Sequence, residues 1–347
     1  MKTPVQNLLL VLVLTATWLM KPAGAMADIL YVSDAGGGIY KLDSAISGGN
    51  VSTFAASGLY GSLGLACNSS SNLFAATSLN GNYDILEFTP AGSQSIFASG
   101  FVQVEGLAFD SNGNLFAADG GSGNGTIYKF TPGGSQSTFV NGGVLGGGVR
   151  GLAIDSSNNL FVADNLGGSG YIYKFTPGGS QSTFASGLDV PSGLAFDSSG
   201  NLFVAVIGSI LKFTPGGVMS TFATGLDAPY GLAFDSSGNL FEADYASGNI
   251  YEFTPGGGQS TFATNLDQPA FLAFAPTAAT PPPPSLHIAS VGNQSILFWP
   301  ASGTNYVLQS TTNLASPNWV TVSNGAPIIG VTLTNNLPAA FFRLQQQ

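Results

Sequence analysis

Charged side chains are scarce in this sequence. They make up 7% of its 347 residues, against about a quarter in an ordinary globular domain. They are also unbalanced, with 18 acidic against 8 basic residues and a formal net charge of −10. Such a surface repels polyanions, so we expect neither nucleic acid nor an anionic membrane as a partner.

Cysteine and histidine are almost absent. Cys67 is the only cysteine and His287 the only histidine. A single cysteine excludes an intramolecular disulfide framework and a thiolate metal cluster, and we expect Cys67 to be a small buried hydrophobe within a strand. Because His287 lies near the C-terminus, Ser/His/Asp and Cys/His catalytic groups cannot form in the preceding 286 residues.

Long apolar runs are also missing, with one exception near the N-terminus. Leu8 to Met20 follows a lysine and is too short to span a bilayer. Small-x-small cleavage patterns then end at Ala25 and at Ala27. These features predict a secretory signal peptide over residues 1–27, with a membrane anchor as the alternative. We expect a mature chain that is secreted or held in the cell envelope, has no membrane span and is monomeric.

The sequence does contain an internal repeat, which consists of four short phrases. The phrase GLAF or a variant begins at Gly64, Gly106, Gly151, Gly193 and Gly231, with a degenerate copy at Phe271. The phrase LFVAD or a variant begins at Leu30, Leu73, Leu115, Leu160, Leu202 and Leu240. IYKF and STFA follow in the same order, so each period of 38 to 45 residues holds four β-type runs. Four strands per period is the content of one propeller blade.

The phrases have the chemistry that their places in a blade require. GLAF and LFVA are apolar on consecutive residues, which suits inner strands covered on both faces. In the DSSGN segment between them, Asp110 and its equivalents are expected to bond turn N–H groups. The Thr-Pro-Gly-Gly segment after IYKF predicts a type II turn with Pro132 at its second position. In the third strand, Lys129 and its equivalents are expected at the solvated rim.

The phrase count predicts how the chain closes. The repeat region opens on a second strand at Ile29 and ends on a first strand at Phe271, so six copies are complete only if these two strands share a blade. The fold class is therefore all-β: a six-bladed β-propeller over residues 28–276, closed by a clasp of one C-terminal and three N-terminal strands. An open solenoid with the same repeats is the alternative.

The phrases P-x-G-L-A-F-D, G-N-L-F-V-A-D and G-x-I-Y-K-F resemble NHL-type repeats and the related streptogramin-lyase-like and SMP-30/gluconolactonase-like propellers. The resemblance covers residues 29 to 275. It implies architecture more than activity, because propellers include both binding modules and enzymes.

A different pattern follows the repeats. Residues 277–285 contain four consecutive prolines, which predicts a stiff polyproline linker. Residues 286–347 contain short strand-like runs around Trp299 and Trp319, which predicts a small β-sandwich with both tryptophans in its core. This segment resembles the fibronectin-III-like module that ends in FFRL in many secreted bacterial repeat proteins, which implies surface attachment or export. Arg343 is expected to form an ion pair or to lie over an aromatic ring there.

Candidate site residues come from the positions that face the mouth of the channel. In a propeller, the residue before each GLAF glycine and the last residue of each second strand are expected on the same face, around the central channel. The candidates for ligand binding at this mouth are Glu105, Arg150, Ser192, Tyr230, Asp119, Asp164 and Asp244. The alternative is that Glu105 pairs with Arg150, and that the aspartates cap the glycine-rich loops that follow them.

The resemblance also permits a test for catalysis. Streptogramin-lyase-like enzymes use a histidine base and a divalent metal, and the repeats contain no histidine. SMP-30-like lactonases hold their metal with a glutamate, two asparagines and an aspartate. Glu105 can stand for the glutamate, but Arg150 lies where another oxygen ligand would be needed, and no asparagine falls in the matching column. Oxygen ligands alone would suit Ca²⁺, so Glu105 is a candidate ligand for that ion.

These observations favour a non-catalytic propeller that binds an extracellular protein, a glycan or a small polar ligand through its loop-rich face. The alternatives are a metal-dependent lactonase or lyase, and a structural role in the cell envelope.

Overall fold

A computed structural model describes residues 28–43, 51–55, 59, 64–79, 82–120, 123–146, 148–166 and 169–276, and six strands between residues 287 and 346. The chain divides into two compact units, a larger one that comprises residues 24–278 and a smaller one that includes residues 279–347. The described residues contain no α-helix, and therefore none that could cross a bilayer. The predicted signal peptide and polyproline linker lie outside the described residues.

The larger unit is a six-bladed propeller of four-stranded antiparallel sheets. The first three blades, numbered from the N-terminus, contain the following strands. Blade 1 contains β1 (Ile29–Asp34), β2 (Ile39–Asp43) and β3 (Ser52–Ala55), with the late strand β24 (Pro269–Phe274). Blade 2 contains β4 (Leu65–Cys67), β5 (Leu73–Leu79), β6 (Asn82–Phe88) and β7 (Gln94–Phe101). Blade 3 contains β8 (Val104–Phe109), β9 (Leu115–Asp119), β10 (Asn124–Phe130) and β11 (Gln136–Gly146).

The remaining three blades follow the same order. Blade 4 contains β12 (Val149–Ile154), β13 (Leu160–Leu166), β14 (Ser169–Phe175) and β15 (Gln181–Leu188). Blade 5 contains β16 (Leu194–Phe196), β17 (Leu202–Val206), β18 (Ser209–Phe213) and β19 (Met219–Thr224). Blade 6 contains β20 (Pro229–Phe234), β21 (Leu240–Asp244), β22 (Asn249–Phe253) and β23 (Gln259–Ala263).

The two ends of the repeat region meet in blade 1. Strand β24 pairs antiparallel with β1, with Leu30 opposite Phe274 and Val32 opposite Leu272. The sheet order is β24-β1-β2-β3. The last strand of the repeat region thus completes the sheet that the first three strands of the region begin. The inner edge of β1 is therefore paired.

The inner strands are buried as their continuous apolar sequences predict. In β9, β17 and β21 every residue is buried. Both faces of these strands are covered because a neighbouring blade packs on each side. The fourth strands lie on the outside of the propeller, and their first residues are exposed.

A β-bulge recurs at the same place in all six blades. Between the third and fourth strands the register shifts after the isoleucine of IYKF, so that the phenylalanine of STFA has no partner opposite it. A bulge re-aims the side chain that it displaces. In blade 4 the displaced Phe184 packs edge-on against Phe161 of the second strand, at 5.1 Å between ring centroids, and against Phe213 of blade 5 at 5.6 Å. The outer strand thereby contributes to the core between blades.

One predicted turn type is wrong. In Thr131-Pro132-Gly133-Gly134, the N–H of Gly134 bonds the carbonyl of Thr131 at 2.8 Å, and the positive φ of 80° falls on Gly134. A type II turn would require the positive φ at Gly133. The geometry is a type I turn followed by a left-handed glycine, which matches the right-handed twist of a hairpin with a three-residue loop. The other predicted turn is confirmed, since Asp110 accepts N–H bonds from Asn112 and Asn114.

The smaller unit contains two three-stranded antiparallel sheets in the part that the structure describes. Their strands are β25 (His287–Val291), β26 (Gln294–Phe298), β27 (Tyr306–Thr311), β28 (Val320–Thr321), β29 (Gly330–Thr334) and β30 (Phe341–Gln346). The sheet orders are β25-β26-β29 and β28-β27-β30. Trp299 and Trp319 lie outside the described residues. The small sandwich, its fibronectin-III-like character and the role of Arg343 stay predictions.

Candidate functional site at the channel mouth

The first-strand glycines bring the mouth residues close to the channel. A Cβ built on Gly106 would collide with the backbone carbonyl of Arg150, and one on Gly151 with the carbonyl of Ser192. Gly64, Gly193 and Gly231 meet the next blade in the same way. Each glycine is therefore required because the following blade's backbone passes directly over it. The repeat pattern shows these glycines but does not reveal why they are needed.

The channel below the mouth is narrow. Leucines from all six blades and the first-strand glycines line a cavity of about 50 Å³. That volume admits a few water molecules and is too small for a saccharide or a peptide. The mouth is therefore the candidate site for a ligand of that size.

Two of the predicted mouth aspartates hold loops in place. Asp119 accepts the backbone N–H groups of Val102 and Gln103 at 3.1 and 2.7 Å. Asp244 is fully buried and accepts those of Asp227 and Ala228 at 2.8 and 3.3 Å. These bonds hold the loops that lie before the first strands. The chain returns there beside the end of the second strand, so its N–H groups are the nearest donors. The expectation that the aspartates cap the loops that follow them is confirmed for Asp244, which also accepts the N–H of Ser247 at 3.0 Å, and stays a prediction for Asp119.

Asp164 occupies the equivalent position in blade 4 but is less well satisfied. One carboxyl oxygen accepts the N–H of Gly146 at 2.7 Å, and the other is buried without a partner. Burial raises the pKa of this carboxyl, and the bond from Gly146 lowers it in part. Asp164 is enclosed in the protein and does not face the mouth openly, since its exposed fraction is 0%.

Ser192 also has a structural role. Its buried hydroxyl lies 3.2 Å from the carbonyls of Pro229 and Tyr230 in the next blade. It thus bonds across the seam between blades 5 and 6.

Arg150 and Glu105 lie on adjacent blades but do not form an ion pair. Among the described residues, the guanidinium of Arg150 has neither a hydrogen bond nor an ion pair, and it lies over the ring of Tyr230 at 5.7 Å. The pairing of Glu105 with Arg150 that the sequence suggested as an alternative is therefore wrong. The physical reason is that Arg150 turns toward the aromatic face of Tyr230.

Glu105 is only half satisfied. Its Oε1 accepts a bond from the side-chain amide of Gln103 at 2.7 Å, and its Oε2 is buried without a partner. Burial raises the pKa of the carboxyl, while Gln103 and the charge of Arg150 lower it in part. The result is a desolvated carboxyl with one oxygen that has no hydrogen-bond partner.

Aromatic side chains form one wall of the mouth. Tyr230 lies 6.0 Å from Tyr245 and 5.2 Å from Phe271, measured between ring centroids. Burial, then the charge of Glu105, raises the pKa of Tyr230 to about 12. The hydroxyl of Tyr245 donates to Gln268 at 3.0 Å. Tyr245 and Gln268 were not among the sequence candidates. Tyr245 follows the end of β21 and Gln268 precedes β24, whereas the candidates were taken only from the last residues of second strands and the residues before the GLAF glycines.

A further carboxyl was missed because it lies in a strand. Glu242 takes the place of the valine or alanine in LFVAD and is fully buried, and neither of its oxygens forms a hydrogen bond. Burial, then repulsion by Asp244, raises its pKa to about 9, although the backbone of Tyr230 lowers it slightly. Comparison of the six repeats could have found it as the only charge in that column.

The residues around Glu105 do not fit a divalent cation. The described residues contain no group of three or more His, Cys, Asp or Glu side chains that could hold a metal. The charged side chain that acts on Glu105 is the guanidinium of Arg150, which lowers the pKa of Glu105 in part and cannot ligate a metal. The Ca²⁺ site at Glu105 stays a prediction.

Comparisons with known proteins bear on the fold alone. No family model matches the chain, and no curated protein sequence matches it. A chain of a nidogen/laminin complex is similar in structure, with a TM-score of 0.62 at 18% identity over 72% of this chain and 98% of that chain. Virginiamycin B lyase from Staphylococcus aureus has a TM-score of 0.52 at 13% identity, over 79% and 92%. A catalytically inactive histidine-to-alanine variant of that lyase, with quinupristin, has a TM-score of 0.50 at 14% identity, over 79% and 93%.

Together these findings define the class of the protein. It is a six-bladed β-propeller that resembles NHL-type and streptogramin-lyase-like propellers in structure. Its structural neighbours include both a binding assembly and a lyase.

Proposed function

We propose that this protein is an exported, non-catalytic propeller that binds a ligand at its channel mouth. The observation that carries the proposal is the guanidinium of Arg150, which extends over Tyr230 without an ion pair or a hydrogen bond from the described residues. An arginine with free donors, beside a carboxyl with a free oxygen and an aromatic wall, is typical of a recognition site.

The absence of histidine from the propeller supports a non-catalytic role. The chain has one histidine, His287, which follows the repeats. The lyase that resembles this chain in structure is catalytically inactive when one of its histidines is replaced by alanine. The nidogen/laminin complex shows that a propeller of similar shape occurs in a binding assembly. An extracellular protein, a glycan or a small polar ligand are the partners we propose.

Arrays of glycans and of peptides test the proposal with the full chain. We expect the native protein to bind a subset of the array, Arg150→Gln to lose that binding, and Lys129→Gln to retain it. Lys129 is a matched control because it carries the same charge on a third strand, over the ring of Phe116 at 5.2 Å. Binding that Arg150→Gln leaves unchanged would contradict the proposal, as would an array on which the native protein binds nothing.

A metal-dependent lactonase or lyase is the second candidate, favoured only by the free oxygen of Glu105. Calorimetry with Ca²⁺ on the native protein and on Glu105→Gln decides it. Heat that disappears in the variant would support a metal site, and no heat in either protein removes this candidate.

We further propose export through the N-terminal segment. Expression with the native N-terminus, followed by N-terminal sequencing of the exported protein, should give Met26 or Asp28 as the first residue. An exported chain that begins at Met1 would contradict a cleaved signal.

A further inference from the structure

The mouth holds two opposite charges beside each other and leaves both incompletely paired. From this arrangement we infer that the ligand is a small zwitterion of the α-amino acid class, with its carboxylate on Arg150 and its ammonium group on Glu105. The inference rests on the proposed function, since it names the ligand of the same mouth. Three independent features carry it: the state of the arginine, the state of the glutamate and the wall between the blades.

The carboxylate end follows from Arg150. A guanidinium presents five N–H donors in a planar fork that matches a carboxylate in a bidentate arrangement. Those donors have no partner among the described residues, and the ring of Tyr230 at 5.7 Å holds the group in place. An arginine that is held in place but unpaired loses little conformational freedom when it binds an anion.

The ammonium end follows from Glu105. Gln103 occupies Oε1 at 2.7 Å, and the buried Oε2 accepts nothing. An unpartnered carboxyl oxygen is costly, so a donor that reaches it gains more than it would at an exposed site. A cationic donor gains further because the carboxyl is desolvated.

The net charge of the ligand follows from the whole chain. With a formal net charge of −10, the protein repels a ligand that is purely anionic. A zwitterion has no net charge, so it can deliver a carboxylate to Arg150 against little repulsion. The buried carboxylates of Asp119 and Asp244 at the ends of the second strands add to the negative potential at the mouth.

The body of the ligand follows from the aromatic wall. The ring of Tyr230 lies 6.0 Å from that of Tyr245 and 5.2 Å from that of Phe271, measured between centroids. The three rings offer an apolar face beside the two charges, which suits an amino acid with an aromatic or aliphatic side chain. The cavity below holds about 50 Å³, so we place that side chain against the aromatic wall.

Three matched probes test the inference by calorimetry on the full chain. L-Phenylalanine carries both charges, 2-phenylethylamine only the ammonium group and 3-phenylpropionate only the carboxylate. We expect phenylalanine to bind at least tenfold more tightly than either analogue. Equal affinities for the three probes, or no binding of phenylalanine, would overturn the inference.

Variants assign each charge to its residue. Arg150→Gln should weaken phenylalanine to the level of 2-phenylethylamine on the native protein and leave 2-phenylethylamine unchanged. Glu105→Gln should weaken phenylalanine to the level of 3-phenylpropionate on the native protein and leave 3-phenylpropionate unchanged. Lys129→Gln should change the affinity for none of the three probes. Circular dichroism confirms that each variant is folded, and a loss in Lys129→Gln comparable to that in Arg150→Gln would refute the assignment.

The outcome also separates this inference from the proposed function. If phenylalanine fails to bind but the arrays still show binding that depends on Arg150, the zwitterion is wrong and the mouth remains a binding site. If array binding does not depend on Arg150 either, the proposed function fails as well.

Discussion

At the scale of single residues, the positions that break the repeat carry most of the information. Glu242 stands where other blades have valine or alanine, such as Val162 and Val204, and it lies fully buried with both oxygens unbonded. Arg150 is a cation in a mouth column that otherwise holds neutral or acidic residues. Each of these residues is ionisable at a position where most other blades have an uncharged side chain. Such departures from a regular pattern are expected at functional or strained sites, so both are suitable for mutagenesis.

Replacement of Glu242 should stabilise the protein at neutral pH. Its folded pKa of about 9 lies above the usual 4.5, so the folded state retains a proton that the unfolded state releases between these values. Stability therefore falls as pH rises from about 4.5 to 9, by at most about 1.4 kcal/mol for each pH unit. Glu242→Gln cannot ionise, and we expect a gain on the order of 2 kcal/mol at pH 7.

Urea denaturation of the native protein and of Glu242→Gln at pH 4.5, 7 and 9 measures this difference. The two proteins should be alike at pH 4.5 and separate as pH rises. A gap of constant size at the three pH values would rule out titration of Glu242 as its cause.

The first-strand glycines should not tolerate even alanine. A Cβ on Gly151 would collide with the carbonyl of Ser192 in the next blade, so Gly151→Ala must push two blades apart. We expect a loss on the order of 2 to 3 kcal/mol, as for other overpacked sites. Gly133→Ala is the control, because its Cβ would meet only the Thr131 hydroxyl at 3.9 Å. Thermal unfolding compares the two, and equal melting temperatures would contradict the close approach.

At the scale of structural elements, the recurring bulge explains why STFA contains a phenylalanine on an outer strand. The register shift turns that ring inward, against the second strand of its own blade and the third strand of the next. The same contact to the second strand occurs in all six blades, with Tyr31 in place of phenylalanine in blade 1. Alternation along the fourth strand alone would not assign this ring to the core.

Removal of one such ring should weaken the seam between two blades. We expect Phe184→Ala to cost about 2 to 4 kcal/mol, because it deletes contacts to Phe161 and Phe213 and leaves a cavity. Ser182→Ala, two residues away on the exposed side of the strand, should change stability by less than about 0.5 kcal/mol. Chemical denaturation gives both values, and similar losses would show that the bulge does not place the ring in the core.

At the scale of the whole molecule, the pairing of β24 with β1 joins residues that are more than 230 positions apart. Such a contact is costly to close and stabilises every blade once it forms, because an open ring would expose two sheet faces. Phe271, Leu272 and Ala273 are buried in this closure.

Disruption of the closing strand should affect the entire propeller. Leu272→Asp places a charge at a position that is 7% exposed, and we expect it to lower stability by about 3 to 5 kcal/mol and to broaden the unfolding transition. Ile96→Asp, at a position 61% exposed on an outer strand, should leave the transition sharp. Calorimetric scans compare the two, and a sharp transition with an unchanged midpoint in Leu272→Asp would show that the ring holds without its last strand.

The sequence by itself determined the number of blades and the order of strands within them. These follow from a periodic pattern of apolar phrases and turn residues, and both are local properties of the chain. The reason for each first-strand glycine, the loops that Asp119 and Asp244 hold and the turn type after Pro132 depended on which groups become neighbours in space. Only the tertiary structure decided that Arg150 lies over Tyr230 rather than in an ion pair with Glu105, because that choice depends on the distance between three different blades.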